Sequence, residues 1–255
     1  MTVVPRSRQD AAWIFAVLAI LVLAFIAPNS LVAQGISIDL GADPDNSFTG
    51  RTIGVFALIT VLSLVPGIAI MITCFPFIVT VLSILRQAIG LQQSPPNMLI
   101  ISLALFLTYF IMDPVLQEAW TTGVQPLIDS QIGAEEAFTR TLAPFRVFMG
   151  ARVDPDTLGT LGELRNTPEL ANPADVELSL LIPSFLLSEV ERAFEIGFLI
   201  FLPFLIIDLV VAAVLMSMGM MMVPPAIVSL PFKLAFFVVA DGWALISGAL
   251  IRSYF

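Results

Sequence analysis

The sequence predicts an all-α, membrane-associated protein built from helical hairpins with broken helices. Three observations carry that expectation. Of the 255 residues, 58% are hydrophobic and only 12% are charged, against about 25% charged in an ordinary soluble domain. So few charges do not cover a water-facing surface, and bilayer is the natural solvent. Four long apolar regions follow an apolar N-terminal stretch. Proline, glycine and isolated charges interrupt them, and backbone groups freed at membrane depth need surrounding protein or a water-filled cavity. These segments therefore read as interior elements of an assembly.

The N-terminus has the pattern of a secretory signal. Arg6 and Arg8 make a basic start diluted by Asp10, Ala11 to Ala27 is apolar, and small residues precede a cut after Ala33. Residues 1–33 are therefore expected to be a cleaved signal peptide, with an uncleaved anchor as the alternative. Residues 34–52 would then form a short, acidic start to the mature chain.

Residues 53–112 form the first expected hairpin region. Ile53 to Leu85 is longer than one span requires and is interrupted by Pro66-Gly67 and Pro76. Met98 to Met112 is uncharged but shorter than the roughly 20 residues that cross a bilayer. The connection Arg86 to Asn97 carries one arginine, no acid and Pro95-Pro96.

Residues 113–182 read as an acidic extracytoplasmic helical domain, with 11 acids against four arginines. Positive residues favour the cytoplasmic side, which places the Arg86 loop inside and this domain outside. Val115 to Ile128 and Glu135 to Ala151 carry helical periodicity, with Pro144 expected to bend the second. Asp154 to Pro173 is rich in turn residues.

Residues 183–255 form the second hairpin region with a Met-rich loop. Ile196 to Met222 contains Pro203 and Asp208, and Val223 to Ile251 contains Pro224-Pro225, Pro231, Lys233 and Asp241. No internal repeat is visible, which weakens the reading as an inverted-repeat transporter.

Several chemistries are disfavoured by composition. Histidine is absent, which removes the usual general base and the commonest metal ligand. The single cysteine, Cys74, forms no internal disulfide or Cys-based metal site. The net charge of −9 argues against nucleic acid as a partner. No enzyme activity, catalytic residue, metal or cofactor is expected.

Charges in apolar segments default to a functional reading. Glu189, Glu191, Arg192 and Glu195 approach the third apolar region, and Asp208, Lys233 and Asp241 lie within the last two. Lys233 is the only lysine in the chain. An ion pair across helices or subunits is the simplest way to keep its charge in a low-dielectric place; snorkelling to an interface is the alternative. Asp208 and Asp241 invite comparison with a proton-sharing aspartate dyad, but structural hydrogen bonding within an assembly suits their surroundings better, and Arg86 joins this polar group.

Met216, Met218, Met220, Met221 and Met222 place five of the chain's ten methionines in seven residues, just before Pro224-Pro225. Gly219 and the proline pair argue for a loop. Soft, unbranched side chains suit an adaptable seal; helix filler and thioether coordination of copper are the other readings, and copper lacks supporting His or Cys.

The chain resembles the FliP family of type III export-gate proteins, called SctR in virulence systems. The carriers are Leu82-Ser-Ile-Leu-Arg86-Gln-Ala-Ile-Gly90, Gln92-Gln-Ser-Pro-Pro-Asn97, Leu103-Ala-Leu-Phe-Leu-Thr-Tyr-Phe-Ile-Met112 and Ser188-Glu-Val-Glu-Arg-Ala-Phe-Glu-Ile-Gly197. Phe201-Leu-Pro-Phe-Leu-Ile-Ile-Asp208, Met220-Met-Met-Val-Pro-Pro225, Leu230-Pro-Phe-Lys233 and Asp241-Gly-Trp243 continue the match. One departure is Thr73-Cys-Phe-Pro-Phe77, where the family often reads Thr-Ser-Phe-Thr-Arg.

The resemblance implies a pentameric homo-oligomer that joins FliQ and FliR in a multi-subunit helical channel, with FlhB and FlhA as further partners. Unfolded flagellar subunits would pass through it as transient substrates. The setting would be the flagellar basal body at the bacterial inner membrane, in contact with lipid and with a large extracytoplasmic portion. The Met-rich loop would be the channel constriction, and Glu189 with Lys233 an intersubunit salt bridge. A small-solute secondary transporter and a purely structural scaffold are the competing readings.

Overall fold

The computed structural model describes residues 48–91, 94–165, 176–220 and 222–255. The expected signal segment 1–33 and the acidic stretch as far as residue 47 lie outside the described residues. The chain divides into two units, Met1–Leu58 and Ile59–Phe255. Apart from the opening of its first helix, the described fold lies in the second unit.

Every regular element among the described residues is helical. Helix α1 is Phe48–Met71 and runs through Pro66 without interruption. The expected break at Pro66-Gly67 falls instead at Ile72–Cys74, where Thr73 Oγ1 donates to Ile70 O at 2.8 Å. A proline removes one intrahelical donor but does not by itself end a helix in apolar surroundings. Helix α2, Phe75–Ile89, starts with Pro76 in its first turn, where no intrahelical donor is lost. It ends at Gly90, whose φ of 88° closes the helix with its N–H on Gln87 O.

Helix α3 is Asn97–Ala119, followed by a π-helical turn Trp120–Val124 and the short α4, Gln125–Ile128. The expected boundary at Asp113 lies inside α3, which also passes through Pro114. Helix α5 is Ala134–Arg152, with Pro144 inside it, and α6 is Pro155–Leu164. The stretch from Asp154 was expected to be turns, yet its first part is helical. Asp154 caps α6 by accepting from the Thr157 N–H at 2.8 Å, the preferred role of Asp at that position. That bond and the Thr157 hydroxyl hold the Asp154 carboxyl below its ordinary range.

Helix α7, Leu178–Ser217, is 40 residues long, about 60 Å at 1.5 Å per residue. It runs straight through the expected boundary between residues 182 and 183. Helices α8, Pro225–Val239, and α9, Gly242–Arg252, are bent by 60° at the break between them.

Helix α2 is the centre of the core. Phe77, Ile78, Val81, Leu82, Leu85 and Ala88 are all buried, and its most extensive packing is with α7. Gly197 on α7 allows that approach, because a Cβ there would lie 2.4 Å from Ile84 Cδ1. The free Cys74 is buried at the head of α2.

Among the described residues, three helical stretches are long and apolar enough to cross a membrane: Gly54–Met71, Asn97–Ile128 and Leu178–Ser217. The bent α8–α9 pair would be a fourth. Ile59, Leu62, Phe106, Phe110, Phe198 and Leu209 leave large apolar surfaces uncovered in a single chain. Surfaces of this size fit lipid or further protein.

Candidate functional site: two buried charge clusters and a methionine-rich turn

The first cluster joins α2, α7 and α8. Asp208 on α7 and Lys233 on α8 form an ion pair, with Lys233 Nζ 2.6 Å from Asp208 Oδ2. The lysine side chain is 8% exposed and the aspartate 33%. Ser229, one turn before Lys233, donates to Asp208 Oδ1 at 2.6 Å, so both carboxylate oxygens are occupied. Lys233 Nζ also donates to Ala88 O at 3.1 Å. That carbonyl belongs to the last turn of α2, where carbonyls lack intrahelical donors and the helix dipole favours a cation. The only lysine of the chain is thus a three-helix tie, and its charge is met where it lies rather than at an interface.

The second cluster joins α5, α7 and the C-terminus. Glu189 is completely buried, with Arg152 Nε 3.0 Å from Oε1 and Arg192 Nη1 3.9 Å from the same oxygen. The Tyr254 hydroxyl donates to Oε2. Arg152 stands in the last turn of α5 and donates through Nη1 to Ser253 O at 2.9 Å. Its guanidinium lies 4.0 Å from the centre of the Tyr254 ring, within cation–π range. Phe148 stacks on Tyr254 and Phe77 meets it edge-on. Phe77 is a buried ring beside this guanidinium, which lies 6.0 Å from the ring centre. Burial, and then the Glu189 carboxylate, hold the Tyr254 phenol well above its ordinary range.

The methionine segment sits at the tip of the α7–α8 hairpin. Met216 lies in the last turn of α7, and Met218 and Gly219 form a turn with Gly219 at φ 77°. Met216, Met218, Met220 and Met222 are exposed, Met222 at 97%, while Met112 and Met149 in the core are at most 1% exposed. Met221 lies outside the described residues. Of the segment expected to be a loop, Met216 and Ser217 are still helical, and the thioethers of Met216, Met218, Met220 and Met222 do not serve the core of their own chain.

The remaining predicted residues are scattered. Asp241, expected among buried polar groups, is exposed at the α8–α9 break with φ 48°, a left-handed conformation that Asp tolerates better than most residues. Gly242 beside it leaves no room for a side chain, since a Cβ would lie 2.2 Å from Phe237 Cε2. Asp208 and Asp241 do not share a hydrogen bond. Arg86 is half-buried and holds the α2–α3 connection by donating to Asn97 Oδ1. Glu189 and Lys233 are not partners within the chain: each is already met by another residue.

These charge positions lie within a sequence that matches known proteins over nearly its whole length. The FliP family profile covers residues 58–250. The flagellar biosynthetic protein FliP of Caulobacter vibrioides is 48% identical over 243 residues, 95% of this chain and 91% of its own. That of Agrobacterium fabrum is 48% identical over 212 residues, 82% of this chain and 86% of its own. That of Bacillus subtilis is 44% identical over 219 residues, 86% of this chain and 98% of its own. The chain belongs to the FliP family. Asp208, Ser229, Lys233, Glu189, Arg152 and the methionine turn all fall inside the FliP-family match, whereas Tyr254 lies beyond it.

Glu189, Asp208 and Lys233 stand out in the sequence, but Arg152, Ser229 and Tyr254 do not. A signal for the first cluster was present. Asp208 and Lys233 lie at nearly equal distances from Met220-Met221, so an antiparallel hairpin brings them level. Arg152 and Tyr254 gave no such signal, because their meeting with Glu189 depends on how α5, α7 and the C-terminus pack.

Proposed function

We propose that this FliP-family chain is a core subunit of the flagellar protein export gate and forms, with FliQ and FliR, the channel through which unfolded flagellar subunits cross the inner membrane. The observation that carries the proposal is the exposed methionine turn at the tip of a hairpin braced by an ion pair whose lysine is buried. Several copies around an axis would bring such turns together as a soft ring. The uncovered apolar helix faces support it, since they suit neighbouring subunits as well as lipid. Flagellar rather than virulence use rests on the names carried by the relatives.

In this proposal Glu189 and Lys233 of neighbouring copies meet only by exchanging or sharing the partners they hold within the chain. Arg86 and Asp241 stand at helix connections, where a subunit contact would be felt. The chain itself supplies no chemistry to the transport.

Two experiments test the reading. A tagged chain expressed at native level should co-purify with FliQ- and FliR-like proteins in a complex with several copies of itself. Deletion should abolish secretion of hook and filament subunits, and the plasmid-borne gene should restore it. A monomer that purifies without these partners and binds a small solute would point to the transporter reading. A complex that assembles while subunit secretion continues without the chain would leave only the scaffold.

A further inference from the structure

We propose that Asp208, Ser229 and Lys233 are positioning residues for the methionine turn, forming a latch that closes the α7–α8 hairpin below its tip and moors it to the last turn of α2. Lys233 Nζ reaches Asp208 at 2.6 Å across the hairpin and Ala88 O at 3.1 Å on α2. Ser229 holds the other carboxylate oxygen at 2.6 Å. One ammonium therefore joins three helices, and Ser229 fixes the orientation of the carboxylate that receives it.

Beyond the latch the hairpin has little else to hold it. Between Asp208 and Ser229, Leu215 is the only buried side chain among the described residues. Leu209, Val210, Val214 and Ile227 are exposed. No side-chain hydrogen bond crosses the hairpin nearer the tip among the described residues. Gly219 at φ 77° gives the tip a tight turn. Charge-assisted bonds in a poorly hydrated place are the strongest polar ties available. Opening them would free the whole methionine segment at once.

The functional meaning rests on the proposed role of the turn as the constriction, but the latch is testable without it. The primary measurement is hydrogen–deuterium exchange on the purified full chain in detergent. Lys233→Met keeps the stem and removes the charge. It should speed exchange of amides in residues 212–228 by about tenfold, as local opening becomes easier, while residues 134–164 stay at the parental rate. Ser229→Ala leaves the ion pair in place and should move the same amides in the same direction by less.

Unchanged hairpin amides in both Lys233→Met and Ser229→Ala would overturn the latch. So would faster exchange spread equally through residues 134–164. Should Lys233→Met not fold, Ser229→Ala decides, because it keeps the ion pair. Ion leak through the assembled complex is the second readout. A hairpin that loosens without any leak removes the constriction reading and leaves the latch standing.

Discussion

Arg152 Nε lies 3.0 Å from Glu189 Oε1, and the carboxylate that receives this guanidinium is completely buried. The two residues come from different helices, and their pair fixes the end of α5 against α7. Arg152→Leu leaves that carboxylate with Tyr254 and a distant, half-exposed Arg192. Removing one partner of a buried pair costs about 3–5 kcal/mol. Denaturant unfolding in detergent should show a loss of that size, and Glu189→Gln combined with Arg152→Leu should be less destabilised than Arg152→Leu alone.

Tyr254 closes the same cluster from the C-terminus. Tyr254→Phe keeps the stacking on Phe148 and removes one hydrogen bond to a charged acceptor, worth about 1.5–3 kcal/mol. The raised phenol also sets a pH dependence. Above about pH 10 the unfolded chain releases this proton while the folded chain holds it. Stability should therefore fall as pH climbs past 10, and the fall should be shallower in Tyr254→Phe.

Two glycines should respond in opposite directions. A Cβ at Gly123, in the π-helical turn, would lie 2.6 Å from the backbone nitrogen of Thr141 on α5. Gly123→Ala must push two backbones apart and should destabilise by about 1–3 kcal/mol. Gly159, inside α6, has nothing within 4 Å of the same construction. Gly159→Ala should stabilise by about 0.5–1 kcal/mol through the lower entropy of its unfolded chain. Thermal unfolding of the two variants side by side gives the comparison.

The helical class was legible in the sequence because it rests on local facts. Apolar length, the Gly219 turn and the Pro224-Pro225 start of α8 are each read over a few residues. Helix limits were less legible. The expected interruption at Pro66-Gly67 and the expected limits at residues 113 and 183 all fall inside helices, because apolar surroundings make continued backbone pairing the cheaper arrangement. Partners were the least legible. Lys233 was visible as a lone charge needing an acid, but several acids were candidates, and hairpin register selects Asp208. Arg152 looked like one more surface arginine of an acidic domain until tertiary packing placed it beside Glu189.

Whether the methionine turn seals a channel is decided by replacing Met220, Met221 and Met222 together by alanine. Each substitution removes a soft side chain and shortens its reach by several heavy atoms. The neighbouring Gly219 and Pro224 still set the turn, so the effect should fall on the seal rather than on folding. The measurement is ion conductance of membranes containing the complex, with assembly checked by co-purification of the partners in the same preparation. If the turn is the seal, the variant complex assembles normally and conducts ions at rest where the parent does not. A fully assembled triple-alanine complex that is as tight as the parent and still exports flagellar subunits would contradict it.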